Sequence, residues 1–560
     1  MKNYRADIDG LRAVAVLLVL LFHVDISFFS GGFVGVDVFF TISGFLITGI
    51  VTREVFEERF SFKKFYTRRA LRLLPAYLFL LLITLIFGVI LLPPLALQEL
   101  VQSSIASSLF ASNFYFFFTQ GGYFSSAAHE LPLLHTWSLS VEEQFYLIMP
   151  MAILLWMKIK NVTIQSSVFF LILLLSMAFS YYLTQYNQKF AYFMMFSRAY
   201  EFLLGSFLSV LIHRHRFAIT PTREVSNVLF ICGLFILLLS ACFIDSSTIF
   251  PSLVALIPCF ATIIIIYSGL NSKCISYSIL GNKVMVWIGL ISYSLYLWHW
   301  PIVSYLKFVG VEFDLFVQLL IIIFSFAGGY ISWRFVENKI RYIKSDKSAL
   351  LALLLYLFPC ILLIAFYSLA LKSQFFADRF DESIVTMEVS TRSKSENGRE
   401  TCHSSSSELD LSDKCRLGEL NTPNQRGVLW GDSHAGHFVG FIDELGKKQA
   451  IDIQSFTMGN CPPLPGLYID LPRSREACMT KNEVVFEHII LSKPDVVYLG
   501  ASWAGYLNKA LKGRTVQESI NIVTETLTEL ITALHSQNIR VVVFEMLPRS
   551  NKDLSSCLLK

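Results

Sequence analysis

Eleven runs of 17 to 24 mainly apolar residues constrain this chain more than any other feature; they lie at about 11–29, 34–52, 73–92, 137–157, 166–184, 196–212, 226–244, 249–268, 285–305, 315–333 and 348–371. A hydrocarbon core of roughly 30 Å takes about 20 such residues per helix, so each run is expected to span a membrane. Of the 560 residues, 54% are apolar and 16% charged, against roughly 25% charged in ordinary soluble proteins. A purely soluble enzyme is excluded. Residues 1–371 carry 25 Lys and Arg with 18 Asp and Glu, while 372–560 carry 21 and 24. The net +4 is thus +7 on the apolar part and −3 on the tail, which argues for a lipid bilayer as partner and against nucleic acid.

Basic residues also give the orientation. With a cytoplasmic N-terminus, alternate loops hold Arg53, Arg59, Lys63, Lys64, Arg68, Arg69 and Arg72, then Lys158 and Lys160, then Arg214, Arg216 and Arg223, then Lys273 and Lys283, then Arg334, Lys339, Arg341, Lys344 and Lys347. Opposite loops hold Lys189, Arg198 and Lys307. This is a positive-inside pattern, and an odd number of spans delivers the tail to the far side. Segment 97–118 carries Gln98, Glu99, Gln102, Asn113 and five serines around it, and reads as an outer-surface or re-entrant element. The first run is not a cleavable signal, because Arg12 sits inside it and no small-residue cleavage site follows.

Several ionisable groups lie inside the runs. Arg12 and His23 are eleven positions apart, about 20° apart around a helix and roughly 16 Å along it, so they share one face. Asp37 and Ser43 occupy the second run, Glu142 and Glu143 the fourth, Glu201 the sixth and His299 the ninth. Charged side chains in lipid cost on the order of 3 kcal/mol each, so this many imply a shared polar cavity.

These groups sit in blocks with a recognisable order. Asp9-Gly-Leu-Arg12 with His23, Gly32-Phe-Val-Gly-Val-Asp37 leading to Ser43, and Arg69-Ala-Leu-Arg72-Leu-Leu-Pro75 come first. Thr136-Trp137-Ser-Leu-Ser-Val-Glu142-Glu143, Arg198-Ala-Tyr-Glu201, Tyr296-Leu-Trp298-His299-Trp-Pro301 and Trp333-Arg-Phe-Val-Glu337 follow. Together they resemble the membrane-bound acyltransferase family 3, with residues 1–345 as its membrane domain of about ten helices and 346–371 as an additional helix. The resemblance implies transfer of an acyl group, usually acetyl, from cytoplasmic acetyl-CoA to a sugar hydroxyl across the membrane. It implies Arg12, Arg69 and Arg72 as holders of the CoA phosphates, for which guanidinium forks are suited. His23 becomes a general base or an acyl-carrying nucleophile. Asp37 joins the catalytic set, and Glu142, beside Trp137 at an expected interface, orients or balances His23. Adjacent helical residues point about 100° apart, so one of Glu142 and Glu143 is expected to be central. Ser43, Trp137, Glu201 and His299 would line the cavity.

The tail reads differently. Residues 372–425 form a Ser-, Lys- and Glu-rich linker or extension, and 426–560 a soluble α/β domain. Gly427–Gly431, Asp495–Gly500 and Ile539–Phe544 read as strands, with helices following Ser433 to about 449 and over 516–536. Strands alternating with helices predict a parallel sheet. Gly431-Asp432-Ser433-His434 resembles the first block of SGNH esterases, which implies Ser433 as a nucleophile. No Asp-x-x-His occurs near the C-terminus and Gly500-Ala-Ser-Trp503 replaces the Gly-x-Asn-Asp block; a missing final segment is one expectation, and an accessory glycan-binding tail another. Cys402, Cys415, Cys461 and Cys478 suggest pairs 402–415 and 461–478 in an oxidising periplasm, with Cys557 left over. No metal-ligand spacing appears.

The reading is a bacterial inner-membrane O-acyltransferase with a periplasmic tail, acting on a lipid-linked or surface polysaccharide, with lipopolysaccharide O-antigen as acceptor. The alternatives are a peptidoglycan O-acetyltransferase and, from another class, a transporter of a glycan or acyl compound.

Overall fold

The computed structural model describes residues 4–120, 123, 126–214, 220–246, 248–341, 343, 348–382, 384–385, 409–467, 475–509 and 515–545. They fall into two compact units, one up to residue 385 and one from 409.

The first unit is helical throughout, as it must be where lipid offers backbone groups no partner. Its helices are α1 (Ala6–His23), α2 (Gly35–Phe56), α3 (Phe62–Leu91), α4 (Pro94–Ser108), α5 (Ser112–Thr119), α6 (Thr136–Met157), α7 (Val162–Tyr186) and α8 (Gln188–Phe193). They continue as α9 (Met195–Arg214), α10 (Arg223–Phe243), α11 (Leu256–Ser268), α12 (Ser276–Ile279), α13 (Lys283–Phe308), α14 (Leu315–Ile331), α15 (Asn338–Arg341) and α16 (Ser348–Lys372). Each of the eleven apolar runs falls on one of them. Among the described residues, eight helices are long and apolar enough to cross a membrane, so that criterion falls short of the expected eleven. The other three are α1, whose 18 residues include Asp7, Asp9 and Arg12, the short α11, and α13, which carries buried Ser292, Ser294, Ser304 and His299. Segment 97–118 breaks at Phe110, which has φ 53°, into α4 and α5, each too short to span.

Among the helix pairs that approach backbone to backbone, two bear on the buried ionisable groups. A Cβ on Gly289 of α13 would lie 1.8 Å from the Asp9 carbonyl oxygen of α1. Between α2 and α9, a Cβ on Gly44 would lie 1.9 Å from the Phe202 carbonyl oxygen, and one on Gly205 1.9 Å from that of Thr41. The first contact brings together the helices of His23 and His299, the second those of Asp37 and Arg198.

The second unit is a five-stranded sheet of β1 (Arg416–Gly418), β2 (Gln425–Gly431), β3 (Ile451–Thr457), β4 (Val496–Gly500) and β5 (Arg540–Phe544), in the order β1-β3-β2-β4-β5. Strands β2 to β5 are parallel, and β1 runs antiparallel to β3. The expected all-parallel sheet is therefore corrected to a mixed one, and the expected linker 372–425 contains a strand of the domain. A three-residue strand has no periodicity to read; it is held by Arg416, which pairs with Asp452 across the edge. Five helices pack around the sheet: α17 (Ser433–His437), α18 (Val439–Gln449), α19 (Arg475–Ser492), α20 (Trp503–Lys509) and α21 (Val516–Ser536). The single helix expected from Ser433 breaks at Phe438, where Gly436 and Gly440 weaken it. Strand alternation splits the core, Val428, Trp430, Val497 and Leu499 facing α19 and α21, while Leu429 and Tyr498 face Val439 and Ile442 of α18. Cys461 and Cys478 form a disulfide; Cys415 is also disulfide-bonded, and Cys402 and Cys557 lie outside the described residues.

Gly205→Val places methyls where the Thr41 carbonyl sits. Overpacking of this kind costs about 1–3 kcal/mol, so the purified protein should unfold at a clearly lower temperature. A wild-type melting curve would show that α2 and α9 can part freely.

Candidate active site

His23 closes α1 and is buried. Its Nδ1 lies 2.9 Å from His299 Nε2, and its Nε2 lies 2.8 Å from the Tyr123 hydroxyl. His299 Nδ1 in turn lies 2.6 Å from the Tyr296 main-chain carbonyl oxygen. A carbonyl oxygen only accepts, so in the neutral pair His299 carries its proton on Nδ1 and accepts on Nε2. His23 then donates from Nδ1, and its Nε2 lone pair accepts from the Tyr123 hydroxyl. The chain runs Tyr123 to His23 to His299 to Tyr296, with Trp300 edge-on against the His23 ring. Glu142 is not part of it, which corrects the expected Glu142–His23 partnership.

Glu142 instead accepts hydrogen bonds from Ser43 and Tyr146, on the wall of a cavity. Arg12, Arg69, Arg72, Ser43, Ser138, Tyr293 and Tyr296 also line it. Arg12 comes from α1 and reaches Asp9 at 3.5 Å. Arg69 and Arg72, from the first turns of α3, make no ion pair among the described residues; Arg69 lies over the Tyr146 ring at 5.3 Å. Of the three guanidiniums, Arg12 alone makes an ion pair among the described residues, and forks left open in this way suit an anion. The Tyr296 hydroxyl touches Ser138 at 2.6 Å, and its carbonyl holds His299, so this one residue joins the arginine cavity to the imidazole pair.

Asp37 and Glu201 lie elsewhere. Arg198 of α9 donates a hydrogen bond to Asp37 at 2.9 Å and forms an ion pair with Glu201 at 2.7 Å, all three fully buried, and the rings of Phe40, Trp137, Tyr192 and Phe250 surround the guanidinium at 5.3–5.7 Å. The single shared cavity expected from sequence is therefore corrected to separate clusters. Asp37, expected among the catalytic groups, is half of a buried ion pair, and Glu201 is the other partner rather than a cavity wall. Trp137 is buried against Arg198 rather than placed at an interface. Arg198 itself was expected in a loop; hydropathy cannot tell a loop arginine from one four residues into a helix.

Sequence reasoning also missed Tyr123, Tyr146, Tyr296 and His135. The last is fully buried, its ring 6.0 Å from that of His299. Tyr146 was findable: it follows Glu142 by one helical turn. Tyr123 lies in a short stretch without periodicity and gave no signal.

In the second unit, Asp432 caps α17 by accepting from the His434 amide at 2.7 Å. Its other oxygen accepts from the Ser502 amide at 2.9 Å and the Tyr506 hydroxyl at 2.6 Å. Burial and the Asp432 charge push the Tyr506 phenol well above its ordinary range. Ser433 stands at the carboxyl end of β2, the usual place for a site in a parallel sheet, but no histidine bonds its hydroxyl among the described residues. His434 lies against Asp432 at 3.7 Å and beside His437.

Residues 5–334 match the family model described as an acyltransferase domain, and residues 401–560 match the SGNH domain found fused to such domains. The O-acetyltransferase OatA of Staphylococcus aureus is 33% identical over 349 residues, 60% of this chain and 57% of that protein. The peptidoglycan O-acetyltransferase OatA of Listeria monocytogenes is 33% identical over 357 residues, 61% of this chain and 56% of that protein. The chain thus aligns with somewhat over half the length of these relatives. No solved structure matches.

Tyr506→Phe removes a hydrogen bond to a buried carboxylate, worth about 1.5–3 kcal/mol. Thermal unfolding of the tail should move down accordingly, and an unmoved transition would show that the Ser502 amide alone suffices for Asp432.

Proposed function

This chain belongs to the acyltransferase family whose model spans residues 5–334, and on that footing we propose that it is a membrane O-acetyltransferase of the bacterial cell envelope. The donor is cytoplasmic acetyl-CoA and the acceptor a sugar hydroxyl on the far side of the inner membrane. The observation that carries this reading is the proton order at His23. Its Nε2 lone pair already holds a hydroxyl, that of Tyr123, at 2.8 Å, the arrangement a general base needs toward an acceptor alcohol.

Arg12, Arg69 and Arg72 would hold the phosphates of the donor. From Arg12 the first helix rises roughly 16 Å to His23, a span comparable to the pantetheine arm that presents the thioester. His23 takes the proton of the sugar hydroxyl, whose oxygen attacks the thioester carbonyl. The imidazolium so formed keeps its Nδ1 proton directed at His299, whose orientation the Tyr296 carbonyl fixes. Between the two acceptors weighed from sequence, peptidoglycan is favoured over lipopolysaccharide O-antigen, because the Listeria relative bears that activity in its name.

The deciding experiment is mass spectrometry and NMR of envelope glycans from cells with and without the gene. New esters on muropeptides support the proposal; esters on O-antigen would redirect it to lipopolysaccharide. Glycan flux with no new ester would make the protein a transporter. His23→Ala and Arg12→Ala should abolish the ester while leaving the protein abundant in the membrane, and wild-type ester levels in either would sink the assignment. His299→Ala frees the His23 tautomer and should cost about 10²–10⁴-fold in transfer rate, read as initial rate at saturating donor. Ser433→Ala should lower transfer only if the acetyl group passes through the tail; unchanged glycan esters would make the tail an accessory.

A further inference from the structure

Behind Glu142 lies a second, smaller cavity, walled by Tyr77, Ser107, Thr136, Ser140, Glu143 and Tyr293 and sharing Glu142 and Tyr293 with the arginine cavity. Adjacent carboxyls thus serve different spaces. Glu142 is held by two hydroxyls, whereas Glu143 has no hydrogen bond or ion pair among the described residues. An unpaired carboxylate inside a membrane is expensive, and a neutral carboxylic acid is not.

We propose that this second cavity is a proton site and that Glu143 is the acid that protonates the thiolate leaving the acetyl donor. The proposal rests on the thioester-donor reading above. In the transfer step the acceptor O–H bond breaks and its proton goes to His23 Nε2. The acceptor oxygen bonds the acetyl carbon, the C–S bond breaks with its electron pair going to sulfur, and sulfur takes the Glu143 proton through water at the Glu142 wall. Free thiol and a Glu143 carboxylate result. Afterwards His23 releases one proton and Glu143 regains one, so charge balances over the turnover.

The surroundings suit an acid that must both hold and surrender a proton. Facing it are Glu142 from its own helix, Arg69, Arg72 and Tyr77 from α3, and Tyr293 from α13. Glu142 opposes a second negative charge, while the two guanidiniums stabilise the carboxylate once the proton has left. The cavity wall is rich in hydroxyls as well. Ser107 lies 2.7 Å from Thr136, Thr136 3.0 Å from Ser112, and Ser112 2.7 Å from Ser140, all hydroxyl to hydroxyl, and three of the four line the cavity. Thr136 gives its one proton to the Leu133 carbonyl at 2.7 Å, so it accepts from Ser107 and Ser112.

The test uses the full-length protein in lipid nanodiscs with acetyl-CoA as donor and a muropeptide as acceptor. Infrared difference spectra on adding acetyl-CoA should show a neutral carboxylic acid band in the wild type that is lost in Glu143→Gln. Turnover in that variant should fall about 100-fold, the scale of general acid catalysis, with KM for acetyl-CoA unchanged. Glu143→Asp should restore part of it, and added formate should restore Glu143→Ala at least tenfold. Wild-type turnover in Glu143→Gln, a carboxylic acid band that survives it, or a loss that neither aspartate nor formate reverses would each overturn the assignment while leaving the donor reading intact. No transfer from acetyl-CoA by the wild type would overturn both.

Discussion

One main-chain carbonyl decides the protonation of two imidazoles. Tyr296 offers only lone pairs to His299 Nδ1, and that single restriction propagates outward until it leaves the His23 Nε2 lone pair facing a hydroxyl. Had the partner been a serine or a water, either tautomer would serve, and His23 would be as often a donor as an acceptor toward Tyr123. The surrounding helices are arranged so that this order survives: both imidazoles are buried, with Trp300 against one ring and His135 beside the other.

Lipid imposes the second constraint, which is that charges in the helical unit must be paired, caged or put to use. Arg198 is paired twice and caged by four aromatic rings. That cluster also supports the imidazoles at one remove, since Tyr192 stacks on Tyr123 at 4.7 Å and also covers Arg198. Arg69 and Arg72 are neither paired nor fully caged. Under the proposed function their cost would be recovered by the phosphates of the donor.

Much of this was legible in the sequence, for physical reasons. Helical geometry alone put Arg12 and His23 on one face, and the apolar runs located the helices, although α3 begins eleven residues before its run and α11 seven residues into its own. Charge pattern gathered Arg69 and Arg72 near the start of α3. What stayed hidden depended on distance in the chain. His299 is 276 residues from His23, and Arg198 is 161 from Asp37, so neither partnership leaves a local pattern. The same holds in the tail: the strand beginning at Gly427 and the helix 516–536 announce themselves by periodicity, whereas β1, three residues long, exists only because β3 is there to pair with it.

The close approach of Gly289 to the α1 backbone makes the spacing of the two imidazole-bearing helices a hard stop rather than a soft fit. Side-chain packing tolerates drift, because rotamers adjust; backbone touching backbone does not. His23 and His299 therefore ride on helices whose separation is set where Asp9 meets Gly289, roughly four and three helical turns before the two rings, so that their meeting point lies at the far end of a pair that cannot close further at its start.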